Sequence, residues 1–388
     1  MPHPYGIDEP AAALARTAAT LSREVLLPNA ASVDANARFP HEALAALAEK
    51  GFFGLTVGAE LGGLAQGPRA FAAVVEELAG ACASTAMIFV MHVAATQALA
   101  SSPTLAGQVD LLREIARGKK LATLALSERG SRSQFWAPMS QLARHEGKLT
   151  TSAEKSWVTA ADHADVFVAS ARMPGASSPL ESTLYLVRRG AEGVRVAAEF
   201  DGLGLRGNNS APVTLSGVGV DEKDLVTAHG EGAKAMLEVV LPWFCVGTAA
   251  MALGLCNAAL AGTASHLGAI GLEHTGEKLR DLPVLRARVA EMAVRTAGAR
   301  ALLGYTLGEL EAPSASTPLF VLQTRLAALE AAACVTDLAM QACGGAAYSR
   351  HLTIERLFRD ARAGSVMAPT VDHLRDFIGR ALTGLPLF

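Results

Sequence analysis

The sequence predicts an α+β fold in three parts: a helical N-terminal domain over residues 1–120, a middle β-domain over 121–229 and a C-terminal helical bundle over 230–388. Three observations carry this prediction. Ala- and Leu-rich stretches with helical periodicity fill both ends of the chain. Short β-type runs separated by turns fill the middle. The two kinds of element come in separate blocks, which indicates packed α and β layers rather than a doubly wound parallel sheet.

In the first block, helical spacing runs over 11–27, 41–50, 70–98 and 105–117, broken by Gly- and Pro-bearing segments such as 58–67. The middle block holds β-type runs at 148–152, 156–159, 165–170, 183–187, 193–196 and 213–215. Helices return from Gly230 and are expected at 233–267, 282–311, 318–343 and 371–382. Four antiparallel helices of that length form a bundle with a substantial internal seam.

Composition narrows the function classes. The 388 residues are 51% hydrophobic and 18% charged, which suits a globular chain with a large core, often an oligomer. A net charge of −3 and the lack of any Lys/Arg run give no electrostatic pull toward nucleic acid. The five cysteines, Cys82, Cys245, Cys256, Cys334 and Cys343, show no metal-ligand spacing and sit among small apolar residues, as buried thiols do. They fit a reducing compartment, and the N-terminal residues show no secretory pattern, so a cytoplasmic location is expected. No charge occurs between Glu77 and Asp110, nor between Glu238 and His266. Stretches of that length can span a bilayer. Their Pro242, Asn257, His92 and Gln97, and the lack of flanking basic clusters or aromatic belts, predict buried bundle helices and no membrane span.

A G-x-G-x-x-G pattern falls at Gly202, Gly204 and Gly207. A dinucleotide fingerprint opens a helix, whose N-terminus holds the pyrophosphate. Here residues 208–212 lead into another strand, so no such site is expected. The H-E-x-x-H, C-x-x-C and G-x-S-x-G patterns are absent, and neither a metal centre nor a hydrolytic triad is expected.

Four ordered segments are more specific: Leu126-Ser-Glu-Arg-Gly-Ser-Arg-Ser133, Lys155-Ser-Trp-Val-Thr-Ala160, Gly204-Leu-Arg-Gly207, and Gln341-Ala-Cys-Gly-Gly-Ala-Ala-Tyr348 followed by Glu355-Arg-Leu-Phe-Arg-Asp-Ala-Arg362. In order and spacing they resemble the acyl-CoA dehydrogenase family over essentially the whole chain. The resemblance implies that family's fold, with a barrel-like middle β-domain and a C-terminal four-helix bundle, and a homotetramer or homodimer holding FAD at a subunit interface. It implies an acyl thioester substrate, on CoA or a carrier protein, oxidised at Cα–Cβ with hydride transfer to flavin N5. Ser127 and Ser133 would line the flavin ring, Trp157 would pack on it and Thr159 would hydrogen-bond near N5. Gln341, Gly344 and Gly345 would meet the adenosine–pyrophosphate end of a partner's FAD. An aromatic face with hydroxyl donors suits an isoalloxazine, and paired glycines let backbone approach a phosphate. Arg359 and Asp360 read as a structural ion pair.

The chain also departs from the family pattern. The base that removes the α-proton commonly stands in an E-G-T segment after the R-D-A-R run; here Met367-Ala-Pro-Thr370 puts Ala368 at that position. The other base site, on the first bundle helix, reads Leu241-Pro-Trp-Phe-Cys245 and holds no acid. The family's R-x-x-F-G segment is degraded in Gly271-Leu-Glu-His-Thr-Gly276. Since alanine accepts no proton, dehydrogenation needs a substitute base. Asp372 and His373 are the nearest titratable candidates, with a place at the start of the last helix as their other reading. Two alternatives stay open: a flavin-dependent monooxygenase or oxidase on the same fold, and a flavin-poor homologue kept for binding.

Overall fold

Asp8 opens the first helix by accepting the Ala11 amide at 2.9 Å, a cap that satisfies an otherwise free N–H. The computed structural model describes residues 3–103, 105–145 and 147–387. Its N-terminal helices are α1 (Glu9–Leu21), α2 (Leu27–Ala35), α3 (His41–Glu49), α4 (Pro68–Ala81), α5 (Ala83–Ala100) and α6 (Leu105–Ala116). The run predicted over 11–27 ends earlier, in a π-helical turn at Ser22–Leu26 that leads into α2. The run predicted over 70–98 is two helices, because Cys82 takes an extended backbone (φ −149°, ψ 102°) between them. A uniform pattern of small apolar residues does not register a one-residue break.

The middle block carries β1 (Ala122–Ala125), β2 (Leu142–His145), β3 (Lys148–Val158), β4 (Val166–Arg172), β5 (Ser182–Arg188), β6 (Val194–Val196) and β7 (Ala211–Val220). They form two sheets. In one, β4 lies between β1, parallel to it, and β5, antiparallel. The other is antiparallel in the order β2-β3-β7-β6. The runs predicted at 148–152 and 156–159 are one strand, β3, whose register against β7 shifts between Lys155 and Val158. That bulge sets the direction of Trp157.

The C-terminal block holds the short α7 (Gly232–Ala235), then α8 (Leu241–Ala269), α9 (Pro283–Glu311), α10 (Thr317–Cys343), the short α11 (Gly345–Tyr348), α12 (Ile354–Val366) and α13 (Val371–Thr383). α8, α9 and α10 pack together, and α4 and α5 of the N-terminal domain lie against α8. The bundle's fourth helix is α12, packed on both α8 and α10, rather than the α13 that the sequence suggested. α12 buries Ile354, Leu357, Ala361 and Gly364 at helical spacing, and α13 lies against α10.

Three helices, α5, the Gly232–Ala269 stretch and α10, are long and apolar enough to cross a membrane, but 83%, 78% and 56% of their apolar windows lie inside the protein. A helix surrounded by protein is apolar on every face, as the two uncharged stretches are. All five cysteines are free thiols, and Cys82, Cys245, Cys256 and Cys343 are buried.

Candidate active site

A cavity of about 790 Å³ opens where the three parts of the chain meet. Met87 and Met91 from α5, the 126–135 loop and Trp157 and Thr159 around the β3 bulge line it. Residues 202–205, the start of α8 with Leu241 and Phe244, and the end of α12 with Met367 and Ala368 complete the wall. Its size falls in the usual range for ligand sites, and its lining is a mostly apolar surface with a few polar groups.

Each wall has a local cause. The π-helical turn Met236–Val240 directly precedes α8 and delivers Val240 and Leu241 to the cavity; such turns are frequent at functional sites. Trp157 has a left-handed backbone (φ 55°), uncommon for a large side chain and held by the β3 bulge. Its ring is 70% exposed and stands edge-on to Phe200, with centroids 6.5 Å apart. Thr159 is buried, and its Oγ1 is 3.0 Å from the Ser210 hydroxyl. If Ser210 donates in that pair, the Thr159 proton is free for a ligand. The glycine-rich loop serves packing. A Cβ on Gly204 would stand 2.4 Å from the Arg359 carbonyl on α12, and one on Gly207 would stand 2.2 Å from the Val33 side chain.

The 126–140 loop is fixed by a buried charge pair. Lys155 Nζ meets Glu128 Oε1 at 2.7 Å and donates to the Ser170 carbonyl at 2.6 Å. Glu128 Oε2 accepts the Met139 and Ser140 amides at 2.8 and 2.7 Å, and the Ser140 hydroxyl donates to Oε1 at 2.5 Å. Burial alone would push the Glu128 carboxyl up; Lys155 and the Ser140 hydroxyl and amide outweigh it and hold it below the usual carboxylate range. Glu128 is the sole carboxylate among the cavity-lining residues, and all its partners are structural. Four arginines, Arg129, Arg132, Arg359 and Arg362, also line the cavity. Arg359 pairs with Asp34 at 2.5 Å and with Glu355 at 2.8 Å. Arg362 lies over the Phe358 ring at 4.0 Å.

Of the residues singled out in the sequence, Ser127, Ser133, Trp157, Thr159 and Ala368 meet in this one cavity. Asp372 and His373 do not. Asp372 is 92% exposed, with Arg375 at 3.4 Å, and stands in the first turn of α13. His373 accepts from or donates to Thr370 Oγ1 at 3.3 Å, stacks on Phe377 and lines a smaller neighbouring cavity of about 410 Å³. Neither side chain lines the large cavity: Asp372 faces solvent, and His373 lines the smaller one together with Arg132 and Ser133, which border both cavities. Arg359 and Asp360 do not pair with each other either. Successive helical residues point apart, so Arg359 reaches Asp34 while Asp360 accepts the Leu205 amide at 2.6 Å. Gln341, Gly344 and Gly345 lie outside the cavity at the end of α10. Gln341 donates to Asp337, and a Cβ on either glycine would meet nothing within 4 Å.

An exposed aromatic face, a hydroxyl pair with a spare proton and a donor-rich loop around an apolar cavity fit an isoalloxazine ring. Residues that sequence reasoning missed are Met87, Met91, Phe135, Phe200 and Phe244 on the wall. Met87, Met91 and Phe244 lie within apolar runs and carry no local signal, and Phe135 and Phe200 are single aromatics in polar segments whose place on the wall only the fold shows.

The chain matches three domain families in order: "Acyl-CoA dehydrogenase, N-terminal domain" over residues 8–119, "Acyl-CoA dehydrogenase, middle domain" over 123–218 and "Acyl-CoA dehydrogenase, C-terminal domain" over 230–383. The mitochondrial short-chain specific acyl-CoA dehydrogenase of Bos taurus is 27% identical over 362 residues, 92% of this chain and 86% of that protein. The cyclohex-1-ene-1-carbonyl-CoA dehydrogenase of Geobacter metallireducens is 26% identical over 371 residues, covering 93% and 94%. Among solved structures, butyryl-CoA dehydrogenase from Megasphaera elsdenii superposes with a TM-score of 0.92 at 21% identity, over 97% of this chain and 99% of that one. An FAD complex of PigA superposes with a TM-score of 0.90 at 19% identity, over 97% and 98%. These structural likenesses speak to the fold; the three matches, in order and nearly end to end, place this protein in the acyl-CoA dehydrogenase family.

Proposed function

We propose that this protein is an FAD-dependent oxidoreductase that oxidises an acyl thioester at Cα–Cβ. The observation that carries the reading is the convergence of Ser127, Ser133, Trp157 and Thr159 with the apolar Met87, Met91, Leu241 and Phe244 in one cavity. Bound flavin would supply, at its N5, the acceptor for the hydride leaving the acyl β-carbon. Trp157 offers the flat face, and the Thr159 hydroxyl, backed by Ser210, offers a hydrogen bond. The Glu128–Lys155 pair holds the serine-bearing loop in place. The methionines, Leu241 and Phe244 exclude water from the acyl group. Gln341, Gly344 and Gly345, outward-facing at the end of α10, suit contact with FAD in a second copy, and a homodimer or homotetramer follows from that role.

Ala368 on the cavity wall, and a Glu128 already held by Lys155, leave no protein carboxylate free there to take an α-proton. This supports a second reading, flavin-dependent oxygenase or oxidase chemistry, which needs no such base. The test is the visible spectrum of the purified protein, then anaerobic addition of butyryl-CoA and octanoyl-CoA. A flavin band near ~450 nm at about one FAD per chain is expected, with feeble bleaching by these straight-chain thioesters. Replacing Asp372 and His373 by Ala and Asn should leave turnover unchanged. Brisk bleaching would show that a base is present after all, and substrate-dependent O₂ uptake would favour the second reading. A colourless protein that takes up no FAD would end both.

A further inference from the structure

Both places where a proton-accepting carboxylate was sought, Ala368 and the 241–245 segment of α8, adjoin one buried cation. That cation is Arg325 on α10, which is 0% exposed. Its Nη2 donates to the Met367 carbonyl at 3.0 Å, and its Cζ stands 4.6 Å from the centroid of the Phe244 ring. Its Nε and Nη1 have no hydrogen-bond partner. The Cys245 thiol, a weak acceptor, lies against it, and no carboxylate pairs with it among the described residues. Phe244 and Met367 both line the large cavity, so the guanidinium stands one side-chain layer behind its wall.

A buried guanidinium whose Nε and Nη1 face no acceptor stronger than a thiol is costly unless something compensates it, and arginines inside proteins are ordinarily matched by a carboxylate or phosphate. Here the protein provides none. The wall in front of Arg325 holds the small side chain of Ala368, leaving room where a longer acid would have projected its own carboxylate. Arg129, Arg132 and Arg362 make the rest of the cavity cationic, and its one acid, Glu128, is engaged by Lys155.

We propose that the inner end of the cavity, bounded by Phe244, Met367 and Ala368, binds a carboxylate carried by the ligand, with Arg325 as its counter-charge. The inference rests on reading this cavity as the substrate cavity. The ligand class is an organic acid with an apolar body: the body lies along Met87, Met91 and Leu241, and the carboxylate takes the place that a protein acid leaves open at Ala368. Met367, unbranched and adaptable, is the wall residue best able to give way. A unit charge about 6 Å away, at an effective dielectric of about 20, changes affinity on the order of 10- to 100-fold.

The test uses the FAD-loaded protein and two matched probes, hexanoate and hexanamide, followed by calorimetry and by the change in the flavin's visible spectrum. Hexanoate is expected to bind at least about 10-fold more tightly than hexanamide. Arg325→Gln should abolish that preference with FAD content unchanged, and Arg325→Lys should retain part of it. Ala368→Glu gives Arg325 a protein carboxylate; it should raise the melting temperature and also abolish the preference. This second variant carries the test if Arg325→Gln does not fold. Equal affinities in the wild-type protein, no binding of either probe, or a preference that survives both variants would overturn the proposal. Hexanoate contains no thioester, so its result stands apart from whether acyl-CoAs turn over: a preference without acyl-CoA oxidation would keep the anion site and sink the thioester reading, and the reverse result would do the opposite.

Discussion

Lys155 and Glu128 show how a single residue pair shapes the site by holding a loop in place. Both are buried, at 0% and 4% side-chain exposure, and the pair's further hydrogen bonds go to backbone or to Ser140. Breaking such a pair leaves one charge alone in the interior, which costs more than deleting both. Lys155→Met is expected to lower unfolding free energy by about 3–5 kcal/mol in urea titration, and Lys155→Met with Glu128→Gln to recover a substantial part. A double variant no more stable than the single one would show that loop packing, rather than charge, is at stake. Ser127, Ser133, Trp157 and Thr159 were legible in the sequence because their signal is local: a short ordered segment names them. Arg325 was not. It sits in an Ala- and Leu-rich helix, and its meaning depends on which surface that helix presents and on what two other helices place opposite it.

At the scale of elements, α12 matters more than its length suggests. It closes the bundle, lines the cavity with Arg359, Arg362 and Ala363, and supports the 202–207 loop. The loop lies so close to α12 that an added Cβ at Gly204 would meet the Arg359 carbonyl carbon at 2.5 Å and the Asp360 nitrogen at 2.7 Å. Because these are backbone atoms, relief requires moving the helix or the loop. Gly204→Ala is expected to cost about 1–3 kcal/mol and to weaken FAD retention, read by thermal denaturation and by FAD released per chain. Unchanged stability would show that the loop shifts freely. The α12 segment carries a recognisable motif but no sign of a place among the bundle helices, since a charged 13-residue helix has little of the Ala/Leu pattern that marks its neighbours.

Across the whole molecule, the three parts are joined by polar seams that respond oppositely to pH. His92 on α5 donates from Nε2 to the Phe53 carbonyl and accepts the Ala122 amide of β1 at Nδ1, both at 3.0 Å. Burial pulls its pKa down to about 4. The unfolded chain then binds the extra proton first, so stability rises with pH between about 4 and 6.5, by roughly 3 kcal/mol. Asp360 joins α12 to the 202–207 loop, and burial pushes its carboxyl up to about 6. There the folded chain binds the proton first, so stability falls as pH rises from about 4 to about 6. The two slopes oppose each other in the wild-type chain. Asp360→Asn keeps an acceptor for the Leu205 amide and removes one slope, so its stability should rise more steeply than the wild type's between about pH 4 and 6. Parallel pH profiles for the two proteins would refute this assignment.

The sequence by itself determined the three-part α+β order, the burial of its two uncharged stretches, the family, and several of the residues that meet in the large cavity. These follow from periodicity, composition and short segments, all of which are local. Only the tertiary structure decided that Asp372 and His373 stay out of the large cavity, that Arg359 and Asp360 serve different partners, and that a bulge turns Trp157 toward it. It alone placed an unmatched guanidinium behind the position where an acid was expected. The reason is geometric: a side chain's direction is set by caps, bulges and packing between segments far apart in the chain, and a charge's effect is set by what those segments bring beside it.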